Sequence, residues 1–251
     1  MSQPVALVTG GGRGIGRAVA VALSDNGYAV ALTARSRAEL DETAAACAGP
    51  TLVHEGDITD ATFVDDLFAA VEEQLGAVDV LVANAGAGAS ASVVRTTDEQ
   101  WQRMLDLNLT APFRCVRRAL PAMIERRHGR IVVIASVAAK IGEPYIAAYT
   151  ASKHGVLGMV RSAATEVATK GVTVNAVCPG YVDTPMTAQT IAEIVAKTGR
   201  TSEEARATLA AKQPNGRLVT VDEVAEAVIS CVRNGAINGQ GINVDGGGTT
   251  A

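Results

Sequence analysis

Short runs of β-branched and apolar residues alternate with helical patterns along the whole chain. Strands are predicted at 5–9, 29–34, 51–54, 78–83, 130–135, 172–177 and 241–244. Between the first two, Ile15, Ala18, Val19, Ala22 and Leu23 recur at the spacing of one apolar helix face. Asn26-Gly27 is the expected stop for that helix. Thr97 with Gln100, Thr201 with Glu204, and Thr220 with Glu223 have the spacing of capping boxes and mark the starts of three later helices. Repeated strand-helix-strand order predicts an α/β fold. Right-handed crossovers make it a doubly wound, seven-stranded parallel sheet with helices on both faces and ligands at the carboxyl ends of the strands. Residues 181–215, after the sixth strand, are the one stretch without a clear pattern and are read as a mobile lid.

Composition narrows the class. At 251 residues and 48% hydrophobic content the chain can bury one full core, and it is read as a single domain, 1–251, without repeats or linkers. A net charge of −4 argues against a nucleic-acid surface, and the apolar run 131–139 is too short to span a bilayer. Met1-Ser2-Gln3-Pro4 leads into the first strand without a basic and hydrophobic leader, so a soluble, cytoplasmic protein is expected. Cys47, Cys115, Cys178 and Cys231 stand more than fifty residues apart and lack metal-ligand spacing, so they are expected to be small buried thiols with no metal site.

Two motifs carry chemistry. Tyr149 and Lys153 lie four residues apart, on one face of a helix. A cation about 4 Å from a phenol is worth roughly 4 kcal/mol at an effective dielectric near 20, so Lys153 is expected to make Tyr149 an acid that works near neutral pH. The second motif is the turn from the first strand into its helix, Thr9-Gly10-Gly11-Gly12-Arg13-Gly14-Ile15-Gly16. Its glycines let backbone N–H groups approach a pyrophosphate at the positive end of the helix dipole. The pattern T-G-x-x-x-G-x-G, taken with Y-x-x-x-K, resembles the short-chain dehydrogenase/reductase family and its Rossmann fold.

Further matches run along nearly the whole chain. Asn84-Ala85-Gly86 closes the fourth strand like the family motif that steadies the sheet and lines the cofactor cleft. Asp57-Ile58 stands where the family places an acid against adenine. Ser136 precedes Tyr149 by thirteen residues, the family spacing of the catalytic serine. Asn108, inside the helix that starts near Asp98, matches the fourth member of the Asn-Ser-Tyr-Lys tetrad. Pro179-Gly180, with Val182 and Thr184, resembles the nicotinamide-side loop.

The resemblance implies hydride transfer between a nicotinamide cofactor and a carbonyl or alcohol. Tyr149 would be the acid in reduction, Lys153 would lower its pKa and hold the ribose, and Ser136 would hydrogen-bond the substrate oxygen. Asn108 would hold a water of the proton relay. Pro112, four residues on, cannot donate the helical bond to the Asn108 carbonyl, which leaves that carbonyl free to bind the water. An NAD enzyme needs a carboxylate after the second strand, but this chain has Ala34 followed by Arg35, with Arg13 in the glycine loop. Two guanidiniums could therefore meet a 2′-phosphate, and NADP(H) is the expected cofactor. Gly12 stands where many NADP-using relatives carry Ser or Thr.

The substrate is less legible. Ile141, Pro144 and Tyr145 on one side, and Met186, Ile191 and Ile194 on the other, suggest an apolar cleft without a fixed charge, although they could equally be core. The basic run 126–130 resembles the approach for an acyl carrier protein, and it also reads as a solvated helix end. The chain resembles the branch of 3-oxoacyl-thioester reductases, polyketide ketoreductases and secondary-alcohol dehydrogenases. The favoured substrate is a 3-oxoacyl thioester or another β-keto compound. A free-ketone reductase or secondary-alcohol dehydrogenase is the alternative, and a cofactor-binding sensor or scaffold without turnover is a third reading. A homotetramer is expected by resemblance, assembled through the helices carrying Asn108 and Tyr149 and through the C-terminal strand at 239–247.

Overall fold

The computed structural model describes residues 3–249; Met1 and Ser2, two of the four residues read above for a leader, lie outside them. Seven parallel strands form one sheet in the order β3-β2-β1-β4-β5-β6-β7. They are β1 (Val5–Thr9), β2 (Ala29–Thr33), β3 (Thr51–Val53), β4 (Val78–Ala83), β5 (Gly129–Ile134), β6 (Val172–Pro179) and β7 (Gly241–Val244). The alternation of side chains along β1 builds two cores. Val5 and Leu7 join α3 (Ala61–Gln74), α5 (Ala111–Glu125) and α6 (Ala147–Val167) on one face. Ala6 and Val8 join α1 (Gly14–Asp25), α2 (Arg37–Ala46) and α9 (Val221–Arg233) on the other. The expected doubly wound sheet is observed, and β1 lies between β2 and β4, which puts the reversal of strand order at the carboxyl end of β1.

Local chemistry sets the element ends. α1 stops at Asn26, and Gly27 follows in the left-handed region at φ +85°. All three capping boxes form, at α4 (Asp98–Leu105), α8 (Ser202–Ala210) and α9. β6 runs two residues beyond its predicted end, to Pro179, because β7 continues the pairing there. Cys115, Cys178 and Cys231 are buried and Cys47 is partly so, all as free thiols.

The lid differs from expectation. Residues 181–215 are not irregular: they hold α7 (Pro185–Thr198) and α8, which pack on each other around a small core of Ile191, Ala205, Leu209 and Leu218. Ile191 is buried in that core and Ile194 packs against it, so neither is a cleft residue. A clear capping box at Thr201 was present in the sequence and does start α8.

Candidate active site

The glycine turn is built for close approach. Gly10 and Gly14 hold φ +67° and +54°. A Cβ on Gly10 would stand 2.8 Å from Asn84 Nδ2, and one on Gly16 would overlap the carbonyl of Gly10. Asn84 Nδ2 donates to the carbonyls of Thr9 (2.9 Å) and Gly10 (3.1 Å), while the Thr9 hydroxyl accepts from the backbone N–H groups of Asn84 and Ala85 at 3.0 Å. These bonds lock the ends of β1 and β4 together beside the turn. The Arg13 side chain does not cap α1, and the first turn of that helix carries no acid. Its first N–H groups are therefore available to an anion, as a dinucleotide pyrophosphate requires. Ile15 packs against the core under the turn, and Thr184 comes within 3.5 Å of the Cβ position of Gly14, which brings the loop after β6 over the same spot.

On the far side of β4 a second cluster forms. A Cβ on Gly86 would lie 2.8 Å from Asn108 Oδ1 and 3.7 Å from Lys153 Nζ. Asn108 is fully buried, and its amide grips Ala87, donating to the carbonyl (3.0 Å) and accepting from the N–H (3.2 Å). The helix around it is not continuous α-helix: α4 opens into a π turn over Asp106–Thr110 before α5 resumes. Pro112, directly after that turn, has no N–H to give the ladder. The missing donor was legible in the sequence, but the π turn was not.

Ser136 follows β5 and Tyr149 stands in the first turn of α6. Lys153, 5% exposed, donates to the Ile134 carbonyl at 2.9 Å, and its ammonium is 5.7 Å from the Tyr149 ring centre. The expected acidification of Tyr149 by Lys153 is not found. Burial raises the Tyr149 phenol above its ordinary value, and a hydrogen bond with Ser136 offsets part of this. Burial likewise pushes Lys153 down to about 8. The physical reason is that desolvation outweighs a cation turned toward a backbone carbonyl.

The remaining candidates divide. Gly180 donates its N–H to the Val244 carbonyl (3.0 Å), Val182 is buried and bridges Val219, and Thr184 caps α7. Asp57 accepts from the N–H and hydroxyl of Thr59, which hold its carboxyl below the usual range; Arg35 adds to this, and Ile58 is buried. Arg35 is exposed near α2, whereas Arg13 pairs with Glu39 at 3.4 Å. Gly12 has no room for a side chain, since its Cβ would stand 2.9 Å from Glu39 Cβ. Ile141, Tyr145 and Met186 are exposed, and Tyr145 holds a left-handed φ of +68° just before α6.

One expectation about charge is corrected. The cleft side does carry fixed charge, because Glu143 and Lys212 pair there at 3.0 Å. The basic run lies at the amino end of β5, opposite Ser136, and its guanidiniums are already engaged. Arg126 binds Asp79 and the Val78 carbonyl, Arg127 the Thr169 carbonyl, and Arg130 the carbonyls of Val232 and Gly129. Sequence reasoning missed Glu39, Glu143, Tyr181 and Lys212. Their partners are 26 to 69 residues away along the chain, so no local signal marks them.

The open glycine turn at the strand-order reversal, beside half-buried Ser136 and Tyr149 and buried Lys153, defines a dinucleotide-binding α/β oxidoreductase. The short chain dehydrogenase family matches residues 4–195, and the chain belongs to it. The chain is 36% identical over 250 residues to the 3-oxoacyl-acyl-carrier-protein reductase FabG of Escherichia coli, covering 97% of this chain and 96% of that one. It is 35% identical over 252 residues to a D-beta-hydroxybutyrate dehydrogenase of Rhizobium meliloti, covering 97% and 98%. A crystal structure of a point variant of actinorhodin polyketide ketoreductase with NADPH superposes with a TM-score of 0.94 at 39% identity, covering both chains fully. Among the described residues no helix is long and apolar enough to cross a membrane, and no cluster suited to a metal ion is found.

Proposed function

We propose that the protein is an NADP(H)-dependent reductase that converts the ketone of a β-keto substrate, such as a 3-oxoacyl thioester, to a secondary alcohol. The observation that carries this reading is the convergence of Ser136, Tyr149 and Lys153 beside the glycine turn. The similar FabG and NADPH-bound ketoreductase support the substrate class and the cofactor.

NADPH, when bound, supplies the hydride. Gly10, Gly14, Ile15 and Gly16 would receive its pyrophosphate, Arg35 with Arg13 its 2′-phosphate, Asp57 and Ile58 its adenine side, and Ala85, Gly86, Pro179, Gly180, Val182 and Thr184 would line its path toward the nicotinamide. Ser136 donates a hydrogen bond to the substrate oxygen, stabilising the charge that builds there. Tyr149 gives that oxygen its proton. The phenol is protonated at neutral pH, and an alkoxide is far more basic than a phenolate, so the proton passes downhill to the substrate oxygen. Lys153, at the end of the Ile134 contact, faces the Gly86 turn and Asn108, where the freed carbonyl of Asn108 holds the water that returns a proton to Tyr149.

A free-ketone reductase or secondary-alcohol dehydrogenase is the second reading, supported by the likeness to a hydroxybutyrate dehydrogenase and, at 28% identity and a TM-score of 0.93, to levodione reductase. The deciding experiment measures NADPH oxidation with acetoacetyl-CoA beside a bulky aryl ketone, with Tyr149→Phe as the blank. Fast, Tyr149-dependent thioester reduction supports the first reading; activity confined to the ketone supports the second; binding of NADPH with no turnover of either would favour a sensor. The assembly is proposed to be a homotetramer in the cytoplasm. An acyl carrier protein is the proposed partner of the thioester reading, docking elsewhere than at the run 126–130, which lies one whole strand, about 20 Å, from Ser136.

A further inference from the structure

The lid helices α7 and α8 pack chiefly on each other, and their ties to the catalytic side are few. One of them joins the lid to the loop before α6. Tyr181, directly after Gly180, donates its hydroxyl to Glu143 Oε2 at 3.0 Å. Lys212, just beyond α8, donates to the same carboxylate oxygen at 3.0 Å and to the Tyr181 hydroxyl at 3.2 Å, with its ammonium 5.1 Å from the Tyr181 ring centre. The three residues come from three separate segments: the loop that leads into α6 and Tyr149, the loop after β6, and the far end of the lid. Glu143 is the hub, accepting one hydrogen bond from the phenol and one from the ammonium.

The environment favours this arrangement. Tyr181 is half-buried, and its backbone carbonyl is fixed by the N–H of Val219 (2.9 Å) and by Gln213 Nε2 (3.1 Å), so its ring has a defined position. It stands near enough to Tyr149 to bear on that phenol's acidity. With its proton committed to Glu143, Tyr181 does not compete with Tyr149 as a donor to the substrate oxygen. By contrast, the bidentate pair of Arg206 with Asp183 (3.1 and 2.6 Å) joins α8 only to the loop after β6 and does not reach the α6 side.

We propose that Glu143, Tyr181 and Lys212 form a clasp across the mouth of the ketone cleft, positioning α7 and α8 over the substrate and so setting which ketones the site accepts. This rests on reading the site as a ketone cleft. Compact β-keto substrates fit beneath a closed clasp; bulky ones must open it.

The test combines kinetics with hydrogen exchange in the full chain. Lys212→Met, a change at a largely exposed side chain, and Tyr181→Phe are each expected to raise the KM for acetoacetyl-CoA about tenfold, with kcat within threefold and NADPH affinity within twofold. The ratio of kcat/KM for a bulky aryl ketone over acetoacetyl-CoA should rise about tenfold. Amides of 185–210 should exchange about tenfold faster, while those of 147–167 do not change. The double variant Glu143→Lys with Lys212→Glu should restore both KM and protection, and an Asp183→Asn control should leave the ketone preference unaltered. Unchanged KM and unchanged exchange in both single variants would overturn the clasp. If wild type reduced no ketone yet exchange responded as stated, the clasp would stand and the catalytic reading would fall.

Discussion

Arg35 and Glu39 set the local electrostatics where a 2′-phosphate would lie. Arg35 is the exposed guanidinium that follows β2, and a charge-assisted contact of this kind contributes about 1.5–3 kcal/mol. Arg35→Ala is therefore expected to weaken NADPH binding ten- to a hundredfold by fluorescence titration while leaving NADH binding nearly unchanged. Glu39 holds Arg13 at 3.4 Å, so Glu39→Gln should tighten NADPH a few-fold by releasing that guanidinium; a looser NADPH complex would show that Glu39 aids the site instead. Lys153 makes a separate prediction. In the fold it loses its proton near pH 8, but in the unfolded chain only near its ordinary value of 10.5. Between those limits the unfolded state binds more protons, so stability rises with pH across that window. Relative to Lys153→Met, the wild type should gain on the order of a few kcal/mol between pH 7 and pH 10.5 in urea unfolding. A difference that stays flat with pH would show that burial does not lower the Lys153 pKa.

Among the elements, the capping boxes and the glycine turn do different work. Thr220 caps α9, whose buried face of Val224, Val228 and Val232 completes the core against β1 and its neighbours. Thr220→Ala should cost about 1 kcal/mol of stability in denaturant titration without altering NADPH affinity, since the cap only satisfies helix N–H groups. The turn into α1 has no side-chain cap, and its open N–H groups are its function. The π turn at Asp106–Thr110 is a third case: a proline removes one ladder bond, and the helix widens beside the buried Asn108 rather than breaking. The cost of that irregular turn is met by the Asn108 amide gripping Ala87 and by the packing of α5 on the sheet.

At the scale of the molecule, α4 and α5 leave large apolar side chains in the open. Trp101 on α4 and Phe113 on α5 are each about two-fifths exposed, and Val93 and Val94 are more so. Such a surface is expected to be covered by a second copy in the proposed homotetramer. Sedimentation at micromolar concentration should give a tetramer, and Phe113→Glu should shift it to a smaller species without unfolding it. A monomeric wild type would refute the assembly.

Strand order, the glycine turn and the spacing of Ser136, Tyr149 and Lys153 were legible in the chain because each is a local or periodic pattern: apolar runs, fixed turn chemistry, and residues at set distances along one strand or helix. Even the broken bond at Asn108 could be read from Pro112, four residues on. Other features depend on groups that meet only after folding. The acidity of Tyr149 turned on how deeply the phenol is buried and where Lys153 points, which outweighed their spacing. The lid became two helices because a small core closed around Ile191 and Leu209. The engagement of the run 126–130, the pairing of Arg13 with Glu39, and the Glu143–Tyr181–Lys212 contacts all join segments far apart in sequence. The sequence by itself determined the sheet, the turn and the spacing of Ser136, Tyr149 and Lys153; burial and long-range pairing, which only the tertiary structure decides, set the direction in which the Tyr149 and Lys153 acidities shift and the contacts that tie the lid to the loop before α6.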